Sequence, residues 1–212
     1  MPALQDLSAG ELLAAYRARA LSPVEVAQAV LAHIGRWEPH LCATYALDAE
    51  GALAMARASE ARWAAGTPAG ALDGVPAMLK ENIATRGVPM PIGTAATELV
   101  PAAADAPPAA RLREAGAVLL GKTTMPDWGM LSSGLSSFHP LARNPWDLRM
   151  GPGGSSSGAG GSPPARRARR SSPRGSARRR GSSTPARRST RWRRSTRSRR
   201  WRGPTPPLTE RA

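Results

Sequence analysis

Cysteine is almost missing from this chain: its 212 residues hold one, Cys42. That excludes an internal disulfide and fits a reducing compartment. Histidine is nearly as scarce. His33, His40 and His139 lack metal-ligand spacing, read as incidental, and give no reason to expect a metal or cofactor. No apolar run approaches the ~20 residues that span a bilayer, so no membrane role is expected. The start, MPALQDLSAGELLAAYRARA, lacks the basic opening and apolar core of a signal peptide, so the protein reads as cytoplasmic.

Acidic residues are the other shortage, with 15 Asp and Glu against 30 Lys and Arg and a net charge of +15. Such an excess usually points to nucleic acid or a membrane surface. Its distribution removes that inference for most of the chain. Residues 161–212 hold 18 Arg against one acid, Glu210, a net of +17, whereas residues 1–160 hold 12 basic and 14 acidic residues, a net of −2. An ordinary, slightly acidic sequence is followed by a basic tail.

Helix signals appear early. SAGE (Ser8 to Glu11) and SPVE (Ser22 to Glu25) are capping boxes, the second with Pro23 at the first helical position. Val24, Ala27, Leu31 and Ile34 then recur at helical spacing. LCATYAL (Leu41 to Leu47) has the length and apolarity of a short strand, and Asp48 to Gly66 reads as a third helix stopped by its glycine. LDGVPAMLKEN (Leu72 to Asn82) is a turn followed by an apolar run ending on a lysine. A helix from about Pro108 to Ala115 and a buried strand, AVLLG, come next. Helices alternating with short apolar strands imply an α/β architecture. Residues 129–160 are rich in Gly, Ser and Pro yet keep anchors such as ARNPWD, which suits a structured loop region.

Two features carry chemistry. Lys80 closes the run Ala77, Met78, Leu79, and desolvation of a lysine favours the neutral amine that can accept a proton. The alternative is a strand-end lysine reaching water. PGGSSSG (Pro152 to Gly158) places two glycines ahead of a serine, permitting backbone poses that hold the hydroxyl in an unusual orientation. The same composition serves flexible linkers. A phosphate loop is disfavoured because no lysine follows the glycines.

Taken together, LDGVPAMLKENI, ARLREAGAVLLGKTTMPDWG and RNPWDLRMGPGGSSSGAG resemble, in order and spacing, the amidase signature family. The resemblance covers roughly residues 4–160, with Lys80 and Ser155 75 positions apart. It implies the N-terminal part of that family's α/β/α fold, a mixed sheet covered by helices, here incomplete. It also implies hydrolysis or transfer of carboxamide C–N bonds in a small-molecule amide by a Ser–cisSer–Lys triad, without cofactor or metal. Lys80 would be the general base and Ser155 the bridging serine, ordinarily preceded by a cis peptide bond. Met130 and Ser132 would sit near the acyl pocket.

The family's nucleophilic serine lies further along, in a GTD-x-GGS type motif whose glycines supply the oxyanion hole. The corresponding region here reads SPRGSARRRGSS (Ser172 to Ser183), and no such motif follows. From Gly151 to Pro207 only Gly, Pro, Ser, Ala, Arg, Thr and Trp occur, all encoded with G or C at the second codon base. Reading a GC-rich gene one base late yields that alphabet. The expectation is therefore a partial amidase domain over 1–160, inactive as written, and an out-of-frame, disordered tail over 161–212, with the break near 158–163. A decayed gene and a sequence error both produce such a break. The alternative is a nucleic-acid-binding protein whose arginines contact phosphates while Trp192 and Trp201 stack on bases. Non-specific polyanion binding by the tail is expected on either reading. A sheet deprived of later strands would expose apolar edges and dissolve poorly.

Overall fold

A computed structural model describes residues 3–161 of the chain. The structural expectations for the tail, residues 162–212, lie outside the described residues.

Both capping boxes form. Ser8 caps α1 (Ala9–Arg17), its Oγ accepting the Glu11 N–H at 3.3 Å while the Glu11 carboxylate accepts the Ser8 N–H at 2.7 Å. Ser22 caps α2 (Pro23–Leu41) through the Val24 N–H at 2.9 Å, and Glu25 accepts the Ser22 N–H at 2.9 Å. Each motif satisfies donors that a helix start leaves unpaired. The strand expected over 41–47 shrinks to β1 (Thr44–Tyr45), because α2 runs through Pro39 to Leu41. Cys42 then closes the helix in the left-handed region (φ 49°), its N–H reaching the Glu38 carbonyl at 3.0 Å. α3 (Ala49–Ala65) has the expected limits, capped by Asp48 and ended by left-handed Gly66. β2 (Pro76–Lys80), α4 (Pro107–Glu114) and β3 (Val118–Thr123) follow.

Among the described residues the sheet has the order β1-β3-β2, with β3 antiparallel to β1 and parallel to β2. It is a mixed sheet. The β2–β3 register slips by one residue between Ala77 and Met78, leaving Leu120 as the extra residue before Met78 pairs with Gly121. Gly121 has φ 150° there, and a Cβ on it would come within 2.8 Å of the Ala46 carbonyl, so a side chain would push away the segment leaving β1.

The strands alternate between two apolar layers. Val118 and Leu120 of β3, with Met78 of β2, pack on Ala27, Leu31 and Ile34 of α2 and Ala52 and Ala56 of α3. Leu119 and Leu79 face the other way, against Ala109 and Leu112 of α4. Helices therefore cover both faces, the α/β/α arrangement expected, and each fully buried Val or Leu contributes about 1.5–3 kcal/mol. A third cluster, Leu12, Tyr16 and Val26, seats α1 against α2 and Trp63. Among the described residues no helix is long and apolar enough to cross a membrane.

The turn before β2 is held by one ion pair. Asp73, its side chain wholly buried, accepts from Arg62 Nε at 2.9 Å and Nη2 at 2.6 Å, and from the Ala69 N–H at 2.7 Å. Burial alone would raise its carboxyl, but the Arg62 and Ala69 hydrogen bonds and the Arg62 charge outweigh burial and hold it below the usual range. Because the folded value is depressed, the stabilisation is complete above the unfolded carboxyl value of about 4 and is lost as pH falls through the folded one. Arg62→Ala is expected to cost about 2–4 kcal/mol, less than for a fully buried pair because the Arg62 side chain remains 33% exposed. Urea unfolding measures this, and the same titration in acid should show a shallower loss of stability for Asp73→Asn.

Candidate active site

Parallel strands end at one edge of a sheet, and here both carboxyl ends carry working groups. Lys80 is the last residue of β2 and pairs in register with Thr123, the last of β3. Thr124 then acts as a clasp. Its N–H donates to the Ala43 carbonyl at 3.0 Å, while its carbonyl accepts the Gly158 N–H at 2.9 Å and the Ser157 hydroxyl at 3.2 Å. Gly158 lies so close to Ala43 and Thr124 that a Cβ would overlap both, so this step in the chain admits only glycine. A short helix, α5 (Ser157–Gly161), begins there.

The glycine–serine loop is thereby drawn back over the end of β2. The Gly154–Ser155 peptide is cis. Lys80 Nζ donates to Ser155 Oγ at 2.8 Å, bringing together side chains 75 positions apart. Lys80 and Ser155 are half-buried, while Gly154 and Ser156 beside the serine are exposed. A Cβ on Gly154 would stand 2.7 Å from the Leu131 and Ser133 carbonyls, so segment 131–133 lies directly against the loop. Gly129 faces Ser155 from the same segment, its Cβ position 3.7 Å from Ser155 Oγ. Met130 and Ser132 sit on this flanking segment with exposed side chains.

The region 129–160 is ordered by its own polar side chains. Asn144 Oδ1 accepts the Trp146 N–H at 2.9 Å, its N–H donates to the Met150 carbonyl at 2.9 Å, and the Arg143 N–H is held by the Leu41 carbonyl at 2.9 Å. ARNPWD is thus a tight turn tied to the end of α2.

Behind Lys80 lies a buried polar cluster that no sequence motif announces. Glu81 is fully buried; its carboxylate accepts the Gly93 N–H at 2.9 Å and pairs with His139 Nε2. His139, incidental by its spacing, is buried in this pair, and the Tyr45 ring stands edge-on to it at 5.2 Å. Burial, and then the Glu81 charge, raise the Tyr45 phenol above its ordinary value. Lys122, also buried, donates to the Glu81 carbonyl at 3.0 Å and the Ile83 carbonyl at 2.9 Å. Burial lowers its ammonium value, partly offset by Glu81. One signal could have flagged it: Lys122 directly follows AVLLG, the strand the sequence marks as buried, and β3 runs on through it. Among the described residues no group of three or more His, Cys, Asp or Glu is arranged to hold a metal ion.

On one edge of an α/β/α layer, a lysine ending β2 thus meets a cis-peptide serine of the glycine–serine loop. Residues 25–162 match the protein-family model described as Amidase, and the chain belongs to that family. It is 44% identical over 161 residues to the glutamyl-tRNA(Gln) amidotransferase A-subunit of Azoarcus sp. (strain BH72), covering 76% of this chain and 33% of that protein. To its counterpart in Myxococcus xanthus (strain DK1622) it is 42% identical over 163 residues, 77% of this chain and 34% of the relative. Peptide amidase from Stenotrophomonas maltophilia superposes with a TM-score of 0.66 at 32% identity, over 71% of this chain and 32% of the other. Fatty acid amide hydrolase gives 0.71 at 28%, over 76% and 29%. The chain spans about a third of the length of the curated relatives it matches.

The two carbonyls held by Lys122 flank the turn that follows Lys80. Lys122→Met takes the lysine donor from the Glu81 carbonyl and leaves the Ile83 carbonyl only the Thr85 hydroxyl at 3.2 Å, and is expected to cost about 1–3 kcal/mol. Hydrogen exchange should show faster amide exchange across residues 81–85, the local sign that this turn has loosened.

Proposed function

We infer that residues 1–160 are the N-terminal portion of a Ser–cisSer–Lys amidase, with Lys80 as general base and Ser155 as the bridging serine. The observation that carries this is the 2.8 Å hydrogen bond from Lys80 Nζ to Ser155 Oγ across the ends of β2 and the glycine–serine loop. In such a triad a neutral Lys80 takes the Ser155 proton while Ser155 takes that of a nucleophilic serine, which attacks the amide carbonyl. Met130 and Ser132, on the segment against Gly154, are proposed to border the acyl group. The substrate is proposed to be a small-molecule amide handled in the cytoplasm, with hydrolysis and transfer both within the family's chemistry.

As written, this chain is proposed not to turn amides over. Its sequence carries no GTD-x-GGS type motif beyond Ser155, the later GGS at Gly160 to Ser162 lying only seven positions on and without the GTD, so nucleophile and oxyanion donors are both proposed to be missing, and losing even one such donor costs about 10²–10³ in rate. The family match stops at residue 162, within the segment where the codon-biased alphabet takes over. Both facts support an out-of-frame tail from about residue 161. The net +17 of residues 161–212 favours a second reading, polyanion binding by the tail, whose affinity should fall steeply with salt.

Amide hydrolysis by the 212-residue chain should be indistinguishable from that of Lys80→Ala on a panel of simple carboxamides. Resequencing the gene and translating every frame past codon 158 should reveal an in-frame continuation with a GGS motif, and that longer chain should lose activity on Lys80→Ala or Ser155→Ala. Lys80-dependent turnover by the 212-residue chain would falsify the inactive reading.

A further inference from the structure

We propose that Lys80 and Ser155 form a working Ser–Lys dyad on their own, in which Ser155 is the acylated residue and aryl esters of short apolar acids are the substrates. The inference rests on the proposed function, in which no later serine completes the site. The geometry needed for base-assisted attack is present: amine and hydroxyl are 2.8 Å apart, within the reach required of a nucleophile and its base. Serine–lysine pairs serve as nucleophile and base on unrelated folds. A relay serine passes its activation to another hydroxyl; with no GTD-x-GGS type motif to present one, the activated oxygen is Ser155 Oγ itself.

Access and substrate class follow from the surroundings. Ser155 is half-buried between exposed Gly154 and Ser156, so the loop that carries its hydroxyl lies at the surface. The flanking segment faces Ser155 through Gly129 and presents Trp128, Met130 and Leu131 to solvent at 58%, 81% and 44% exposure. An apolar acyl chain would be covered by these side chains. Without the glycine-borne oxyanion donors the tetrahedral intermediate gains little stabilisation, which restricts cleavage to good leaving groups and leaves amides untouched.

The step balances within these groups. Ser155 Oγ bonds to the acyl carbon and its proton passes to Lys80 Nζ. The bond from the acyl carbon to the aryl oxygen breaks, and the phenol departs with the proton returned by Lys80. Water then attacks the serine ester with Lys80 as acceptor, releasing the carboxylic acid and restoring Ser155.

The test uses the full chain with p-nitrophenyl butyrate at about pH 9, where a larger fraction of lysine amine is neutral. Quenched samples are read by intact mass and peptide mapping, with and without neutral hydroxylamine. The chain has two lysines, Lys80 and Lys122, and Lys122 is buried on two carbonyls, so the amine background is simple. Expected is a single butyryl ester on Ser155, removed by hydroxylamine, with a nitrophenolate burst near one equivalent. Ser156→Ala should retain the adduct, and Lys80→Met should slow its formation by ~10²-fold or more. Lys80→Arg, which keeps the cation but accepts no proton, serves if Lys80→Met fails to fold. A hydroxylamine-resistant amide on Lys80, an ester forming equally fast in both lysine variants, or no adduct would overturn the dyad while leaving the amidase reading in place. A Lys80-dependent ester on a serine beyond residue 161 would overturn the dyad and the missing-nucleophile reading together.

Discussion

The parallel pairing of β2 with β3 is the constraint on which the site depends. Parallel strands deliver their carboxyl ends to one edge, so the residue that ends β2 and the residues that follow β3 are neighbours although some 40 positions separate them. Both residues of the proposed dyad hang from that edge. Lys80 ends one strand, and Thr124, just past the other, binds Ser157 and Gly158 and so turns the glycine–serine loop back toward Lys80. Were β2 to slip by one residue, Lys80 would exchange faces with Leu79, and its amine would point into the α4 layer. The bulge at Leu120, with Gly121 beside it, pins that register.

Behind the edge, the fold places charge where burial is costly. Glu81 and Lys122 are both fully enclosed, which is tolerable only when every polar atom is matched. The matching spans the molecule. Glu81 is answered by a backbone amide from 93 and an imidazole from 139, and Lys122 by two carbonyls of the turn after Lys80. That turn is therefore held from both sides, the carboxylate pulling the 93 and 139 loops inward and the ammonium fixing its backbone. A lysine that must meet a serine within hydrogen-bonding distance gains from such support, since a small tilt of the turn becomes a larger displacement at the end of a four-carbon side chain.

What could be read from the sequence was local, and what could not was distant. Ser8 with Glu11, Ser22 with Glu25, and Asp48 with Gly66 mark helix limits because the groups that satisfy a helix end lie within a turn of it. The end of α2 was missed because Cys42, not glycine, takes the left-handed cap, and because Pro39 so near the end costs the helix little. Layering followed from the alternation of helices with short apolar strands along the chain. Lys80 and Ser155 were recognisable from motifs whose spacing alone could not have shown a contact. The Glu81–His139 pair had no local trace: its partners stand 58 positions apart, in a segment without regular structure, and neither belongs to a periodic pattern.

The way the site is assembled also explains how half of it can be complete. Each contact that sets Lys80 against Ser155 is made within the described residues: the β2–β3 register, the Thr124 clasp, the close approach of Gly154 to Leu131 and Ser133, and the buried cluster. None requires an oxyanion hole or a second serine. Lys80 and Ser155 are thus held together by the packing of residues 3–161. Gly158 and Gly161 hold α5 closely against Ala43 and Arg143, completing the set of contacts that carries the glycine–serine loop.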